Sequence, residues 1–234
     1  MGSGLRRAAW TLAFLFVAGP LAAHFEWIPA LWGFGLFGLA GVASVLLSVL
    51  GLLAWLRGRR EPVALGTSVL VALVFLGTAA PAGRYPPIND ITTDVENPPR
   101  FVAAADLEAN RGRDLSYPGE EFARQQRTAY PDLEPLRAAE SPDVVFERVV
   151  ETARQMPGWS LVRVDAGRKA LEGTATTWLF RFRDDFVIEV RPTDGGSVVH
   201  MRSKSRDGRG DIGANAKRIR AFFAKLAERT GNRP

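Results

Sequence analysis

The side chains of this chain best suited to recognition chemistry lie between positions 184 and 218. Along one predicted strand, Arg202 and Arg206 alternate with the hydroxyls of Ser203 and Ser205. Guanidinium groups bind carboxylates and phosphates through two parallel hydrogen bonds, so the pattern predicts a site for an anionic group. The full predicted ligand-binding set is Asp184, Asp185, Arg202, Ser203, Ser205, Arg206, Asp211, Asn215 and Arg218.

Two other roles stay open for the same residues. In a hydrolase, Asp184 or Asp185 would act as general base while arginines stabilise developing negative charge. In a buried polar network, the charged residues would instead fix the register of two strands against the last helix. No catalytic residue can be assigned, and the sequence favours a role that is not enzymatic.

Several chemistries are excluded or disfavoured by composition. The chain has no cysteine, so it has no thiol nucleophile and no thiolate metal ligand. Its two histidines, His24 and His200, cannot build a His-rich zinc site in one chain. Asn89, Asp90 and Asp94 are oxygen-bearing, but they lack the spacing of a calcium loop, and turn-capping side chains are the preferred interpretation. We expect neither a metal nor a cofactor.

Helices and strands that would position these residues follow from hydrophobic periodicity. The pattern predicts an α+β domain in which a four-strand antiparallel sheet is packed by two helices. Predicted helices span residues 142–156 and 212–229, the second capped by Asp211; predicted strands span 159–165, 169–176, 178–191 and 197–206.

The third of these strands sets the expected core. Six of its eight apolar residues have even numbers, so these six share one face of a single strand. We expect them to pack with Phe222 and Leu226 of the last helix. Asp184 then lies on the apolar face and needs a partner, for which Arg202 or Arg206 is the predicted candidate. The expected core residues of the strand are Phe180, Phe182, Phe186, Ile188 and Val190.

Residues 1–83 have the composition of a membrane anchor with three transmembrane helices, at about 8–25, 30–56 and 63–82. None of these segments has Lys, Arg, Asp or Glu in its interior, which is evidence against an ion pathway. A second interpretation makes residues 1–23 a cleaved signal peptide.

Basic residues set the predicted orientation of this anchor. Arg6 and Arg7 precede the first segment and three arginines lie in the loop 57–61, whereas the loop at 24–29 has no Lys or Arg. The positive-inside rule therefore predicts a cytoplasmic N-terminus and an extracytoplasmic domain. This compartment is evidence against a nucleic-acid partner.

The outer domain begins with a Pro-rich segment at 84–140 that lacks a clear period and is expected to wrap the surface of the core at 141–234. Four spaced motifs of this domain resemble domain-of-unknown-function family fourteen ninety-nine over about residues 84–230. They are the stretches 88–94 with Pro98 and Pro99, 180–185, 202–206 and 211–219. The resemblance carries Asn89, Asp90 and Asp94 as family-motif positions, implies a membrane-anchored bacterial protein, and implies no established activity.

Together these patterns predict a membrane-tethered periplasmic module of the bacterial inner membrane. It would bind an anionic ligand or an envelope protein, or organise the envelope; the alternatives are a hydrolase-like enzyme and a purely structural oligomer scaffold. Its expected partners include the lipid bilayer. Small residues at a spacing of four, Ala40, Ser44 and Ser48, suggest close helix packing or oligomer formation within the membrane.

Overall fold

The computed structural model describes residues 2–230 and divides into two compact units. One unit extends to Arg84 and also includes Thr177–Arg181. The other comprises Tyr85–Thr176 and the chain from Phe182 onward.

The first unit, called here the anchor unit, is a bundle of three helices: α1 (Gly2–His24), α2 (Ala30–Leu56) and α3 (Pro62–Ala79). Small residues allow the helices to approach closely, since a Cβ atom at Gly33 would lie 2.5 Å from that of Ala23. Ala40 and Ser44 are buried inside the same bundle. These small residues of α2 therefore pack against other helices of the same chain.

Two helices of this unit are long and apolar enough to span a membrane, Ala30–Leu56 and Pro62–Arg84. The predicted number was three. The first apolar segment does form a helix, but it is not among the helices that qualify. The helix includes Arg6 and Arg7 near its start and Pro20 and His24 near its end, and these residues lower its mean hydropathy.

The second unit, called here the sheet domain, has an α+β fold with a six-strand antiparallel sheet. Its sheet order is β1-β6-β5-β4-β3, with β2 also paired to β6. The strands are β1 (Asp90–Thr92), β2 (Leu136–Ala138), β3 (Trp159–Asp165), β4 (Ala170–Thr176), β5 (Arg183–Thr193) and β6 (Gly196–Ser205). The helices are α4 (Glu120–Ala129), α5 (Pro142–Arg154) and α6 (Ala214–Thr230), with short 3-10 turns at Ala103–Asp106 and Glu108–Asn110.

The prediction of four strands was therefore too low. Both additional strands, β1 and β2, come from the Pro-rich segment and pair antiparallel with β6. Each is three residues long, which is too short to show a period of two. The segment thus extends the sheet as well as wrapping it.

The fifth strand begins later than its pattern predicted, at Arg183 rather than Trp178. Thr177–Arg181 leaves the sheet and belongs to the anchor unit. There the ring of Phe180 lies 5.3 Å from that of Phe34, and Trp178 is 76% exposed. Phe180 is consequently absent from the buried core of the sheet domain, and Phe182, which precedes β5, is only half-buried and is not part of that core either.

The rest of the predicted core is confirmed. Phe186, Ile188 and Val190 are buried on the sheet face that α5 and α6 cover, together with Phe222 and Leu226. Trp159 of β3 also packs there, with its ring 4.0 Å from that of Phe186. These contacts seat α6 against β5 and β6, which positions the polar residues at its first turn.

Candidate functional site

The nine predicted site residues lie on two faces of the sheet. Successive residues of a strand point to opposite faces, and β5 pairs in register with β6. Asp184 therefore shares the helix-covered face with Ser203 and Ser205. Asp185 shares the other face with Arg202, while Arg206 follows directly after β6. The structure thus brings together two clusters rather than one site.

The first cluster, called here the helix-face cluster, lies between the ends of β5 and β6 and the start of α6. Arg218 donates to Asp184 at 2.5 Å and to Ser203 Oγ at 2.9 Å. Asn215 accepts from Ser203 Oγ at 2.7 Å and donates to Ser205 Oγ at 2.9 Å. Asn215 is fully buried, so its amide depends on these partners.

Asp211 caps the start of α6, as the sequence predicted. Its carboxylate accepts from the backbone N–H of Gly213 at 2.8 Å and of Asn215 at 2.9 Å. Burial raises the pKa of Asp211 above its ordinary value, and the two backbone hydrogen bonds oppose that rise. The positive end of the helix therefore already binds a carboxylate of the same chain.

The second cluster, called here the charged layer, lies on the opposite face beneath the Pro-rich segment. Arg202 is 1% exposed and binds Asp90 through two bonds, Nε–Oδ1 at 2.8 Å and Nη2–Oδ2 at 2.7 Å. Lys204 donates to the same carboxylate at 2.9 Å. Arg202 also donates to the carbonyls of Pro99 at 3.1 Å and Leu115 at 2.8 Å. One guanidinium thus holds three separate parts of the chain.

A second ion pair of the charged layer joins Asp185 to Arg206. Arg206 Nη2 lies 2.6 Å from Asp185 Oδ1, and its Nε lies 3.0 Å from Oδ2. Asn110 donates to Asp185 at 2.9 Å, and Arg113 lies 3.6 Å from it. Asp185 is fully buried, and its charge is balanced by Arg206, directly after β6, and by Arg113 of the Pro-rich segment.

The predicted partner of Asp184 was wrong. Arg202 and Arg206 were the candidates, but Arg202 lies on the opposite face and binds Asp90, while Arg206 binds Asp185. The partner is Arg218 of α6. Alternation along the strands already excludes Arg202 from the face of Asp184.

Glu172 was missed in the sequence. This buried residue of β4 accepts four hydrogen bonds of 2.9–3.1 Å from the backbone N–H groups of Val102, Ala103 and Ala104. Its carboxylate thereby holds the first 3-10 turn of the Pro-rich segment. The available signal was that Glu172 is the single charged residue of the strand ALEGTAT. A carboxylate buried in such a strand needs hydrogen-bond partners.

The three family-motif residues have different roles. Asp90 belongs to the charged layer, whereas Asn89 donates to the carbonyl of Gly208 at 2.6 Å. Asp94 accepts from the backbone of Asn97 at 2.9 Å, which is the predicted turn-capping role. Asp94 also binds Arg191 at 2.7 Å. Within residues 2–230, no group of three or more His, Asp or Glu side chains is arranged to hold a metal ion.

His200 lies beside Asp94 on the same face. It is 8% exposed, and its Nδ1 is 3.6 Å from Asp94 Oδ2, beyond hydrogen-bond distance. Burial lowers the pKa of His200, and the positive charge of Arg191 lowers it further, while Asp94 and Glu189 oppose this. The lowered pKa favours the neutral form of His200 among these charged neighbours.

Three arginines of the predicted ligand set are therefore each bound to a carboxylate of the same chain. A general base must reach its substrate, but Asp184 is 3% exposed and Asp185 is fully buried. The geometry favours the second interpretation drawn from the sequence, a buried polar network. The ligand-binding role stays a prediction.

Comparison with known proteins identifies the family of the sheet domain. A family model described as "Protein of unknown function (DUF1499)" matches residues 90–226, so the chain belongs to this family, as the sequence resemblance indicated. No curated protein and no solved structure matches the chain.

Proposed function

We propose that this member of the DUF1499 family is a membrane-anchored module of the bacterial cell envelope that binds or organises partners and is not a hydrolase. The observation that carries the proposal is that Arg202, Arg206 and Arg218 are each bound to a carboxylate of the same chain. An anionic ligand at any of them would have to displace that carboxylate. Partner contacts are therefore proposed to lie outside the two clusters.

The anchoring part of the proposal takes all three helices of the anchor unit as membrane spans. Its support is the apolar surface of the bundle. Helix α1 exposes Trp10 and Phe14 by 60% and 68%, and α2 exposes Leu39 by 73%. A bundle that is apolar on its outside is typical of membrane proteins, because that surface faces lipid.

An aromatic cluster at one end of the anchor unit supports a membrane–water interface at that end. Trp27 and Trp178 are both 76% exposed, and Phe25 stacks on Trp27 with ring centroids 5.4 Å apart. Tryptophan is enriched at the membrane–water interface. Since the loop 57–61 carries the arginines, we propose that this loop is cytoplasmic and that the sheet domain is periplasmic.

Topology can be tested with reporters fused to the chain after residue 84. We expect an alkaline phosphatase reporter to be active and a fluorescent reporter that folds only in the cytoplasm to be dark. Carbonate extraction should leave the protein in the membrane fraction. An active cytoplasmic reporter, or release by carbonate, would refute the anchoring proposal.

Ligand binding through the arginines can be tested by thermal unfolding of the full chain in detergent. We expect inorganic phosphate to leave the midpoint of the wild type unchanged relative to chloride at equal ionic strength. If phosphate instead stabilised the wild type and not Arg206→Met, the mass-action relation would require a phosphate site, and the proposal would be overturned.

A further inference from the structure

A cavity of about 400 Å³ lies within the anchor unit, at its arginine-bearing end. The start of α1, the end of α2 and the start of α3 meet there, and their apolar walls include Leu5, Leu47, Ala54 and Leu65. Ligand pockets typically have volumes of about 300–1,000 Å³, so the cavity is large enough to hold part of an organic molecule.

The mouth of this cavity is charged. Arg59, Arg60 and Glu61 line it, and Glu61 Oε2 lies 4.0 Å from Nε of Arg6. The guanidinium of Arg60 is held 5.6 Å from the ring centroid of Trp55. Among residues 2–230, no side-chain hydrogen bond or ion pair engages Arg59. In contrast to Arg202, Arg206 and Arg218, this guanidinium has no carboxylate partner in the part of the chain that the structure describes.

We propose that this cavity binds one anionic glycerophospholipid, with an acyl chain against the leucines and the phosphate between Arg59 and Arg60. The inference rests on the proposed function, because it takes the three helices as membrane spans with this end in the cytoplasmic leaflet. Basic pockets between membrane helices on the cytoplasmic side are suited to anionic headgroups. A guanidinium binds phosphate oxygens in bidentate geometry.

The apolar walls and the charged mouth together distinguish this ligand from two others. Free phosphate would use the arginines but leave the leucine-lined interior without a partner. Phosphatidylcholine would fill the interior and present a phosphate, but its quaternary ammonium would add a positive charge beside Arg59 and Arg60, and the lining carboxylate of Glu61 already faces Arg6. An anionic lipid therefore complements both parts of the site better.

Lipid binding can be measured by native mass spectrometry of the full chain in detergent, titrated with phosphatidylglycerol or with phosphatidylcholine of the same acyl chains. We expect one phosphatidylglycerol per chain to be retained, at least about tenfold more tightly than phosphatidylcholine. Arg59→Gln/Arg60→Gln should weaken phosphatidylglycerol binding about tenfold or more. Ala54→Leu, which fills the cavity without changing charge, should also weaken it.

The matched control is Arg7→Gln/Arg57→Gln, which removes two exposed arginines of the same end that do not line the cavity. This variant should bind phosphatidylglycerol like the wild type. Equal losses in the two double variants would show diffuse attraction to a basic surface and overturn the site. Displacement of the lipid by inorganic phosphate would overturn the lipid assignment, and so would equal affinity for phosphatidylcholine.

Failure of this inference is distinguishable from failure of the anchoring proposal. Carbonate-resistant membrane integration combined with no preference for phosphatidylglycerol would refute the lipid site alone. Release of the wild-type chain by carbonate would refute both.

Discussion

Replacing Arg202 by methionine tests whether the charged layer stabilises the sheet domain. Methionine keeps much of the side-chain volume but removes two bonds to Asp90 and the bonds to the carbonyls of Pro99 and Leu115. The guanidinium also lies 4.8 Å from the ring centroid of Phe101, and that contact would be lost. All of these interactions are buried or partly buried.

The expected cost follows from these contacts. Breaking a buried ion pair costs about 3–5 kcal/mol, and the low end applies because Lys204 still binds Asp90. Each buried carbonyl that loses its donor adds about 1 kcal/mol. The expected loss is therefore about 4–5 kcal/mol. For a chain of this size, that corresponds to a fall of about 8–20 °C in the midpoint of thermal unfolding.

The assay is thermal unfolding of the full chain in detergent, followed by intrinsic fluorescence. Arg124→Met is the matched control, since Arg124 lies on α4 of the sheet domain and its ion pair with Glu121 is exposed. The control should change stability by less than about 1 kcal/mol. In a double-mutant cycle, Arg202→Met and Asp90→Asn should be non-additive because they share one pair. A loss for Arg202→Met no larger than that of the control, or full additivity, would refute the reasoning.

Three further perturbations test other parts of the fold by the same assay. Glu172→Gln should cost about 2–3 kcal/mol, because a charged acceptor of four backbone bonds becomes neutral, and unchanged hydrogen exchange at those amides would contradict this. Wild-type stability should fall as the pH drops through 6.5, because the pKa of His200 is lowered in the folded state and the unfolded state therefore binds the proton more readily. His200→Gln should reduce this dependence of stability on pH. An unchanged dependence in the variant would exclude His200 as its source. Gly213→Ala should lower the free energy of unfolding by about 2 kcal/mol or more, because the residue has φ +76° and a Cβ would lie 2.4 Å from a ring carbon of Tyr85. Unchanged stability of this variant would show that the loop shifts freely.

The long elements of the sheet domain were predictable because their patterns extend over many residues. β3, β4 and β6 and helices α5 and α6 lie within a few residues of their predicted bounds. The parity of the apolar residues also continued through Trp178 and Phe180, although these residues leave the sheet. A local period cannot distinguish an aromatic residue of the core from one that packs on other helices.

The partners of the site residues were only partly predictable. Arg218 follows Asn215 by three residues on a predicted helix, which places both on one face of that helix, but the pairing of Arg218 with Asp184 was not predicted. The pairing of Arg202 with Asp90 joins positions 112 residues apart, and no local pattern indicates it. Charged residues can be identified from the sequence, but the register of the sheet determines which of them form pairs.

The charged layer also accounts for how the register of the sheet is specified on its less apolar face. A face of alternating charges would ordinarily lie in water, but here the Pro-rich segment covers it. Asp90 is paired across the strands with Lys204, and Asp185 is paired with the same residue on the other side of β6. A slip of β6 by one residue would turn Arg202 and Lys204 toward the apolar face, which would separate Asp90 from both of its cations and Asp185 from Arg206. The free-energy cost of the shifted register is large, so the ion pairs exclude it. The closed ion pairs of the charged layer therefore support a role in fixing the register of the sheet.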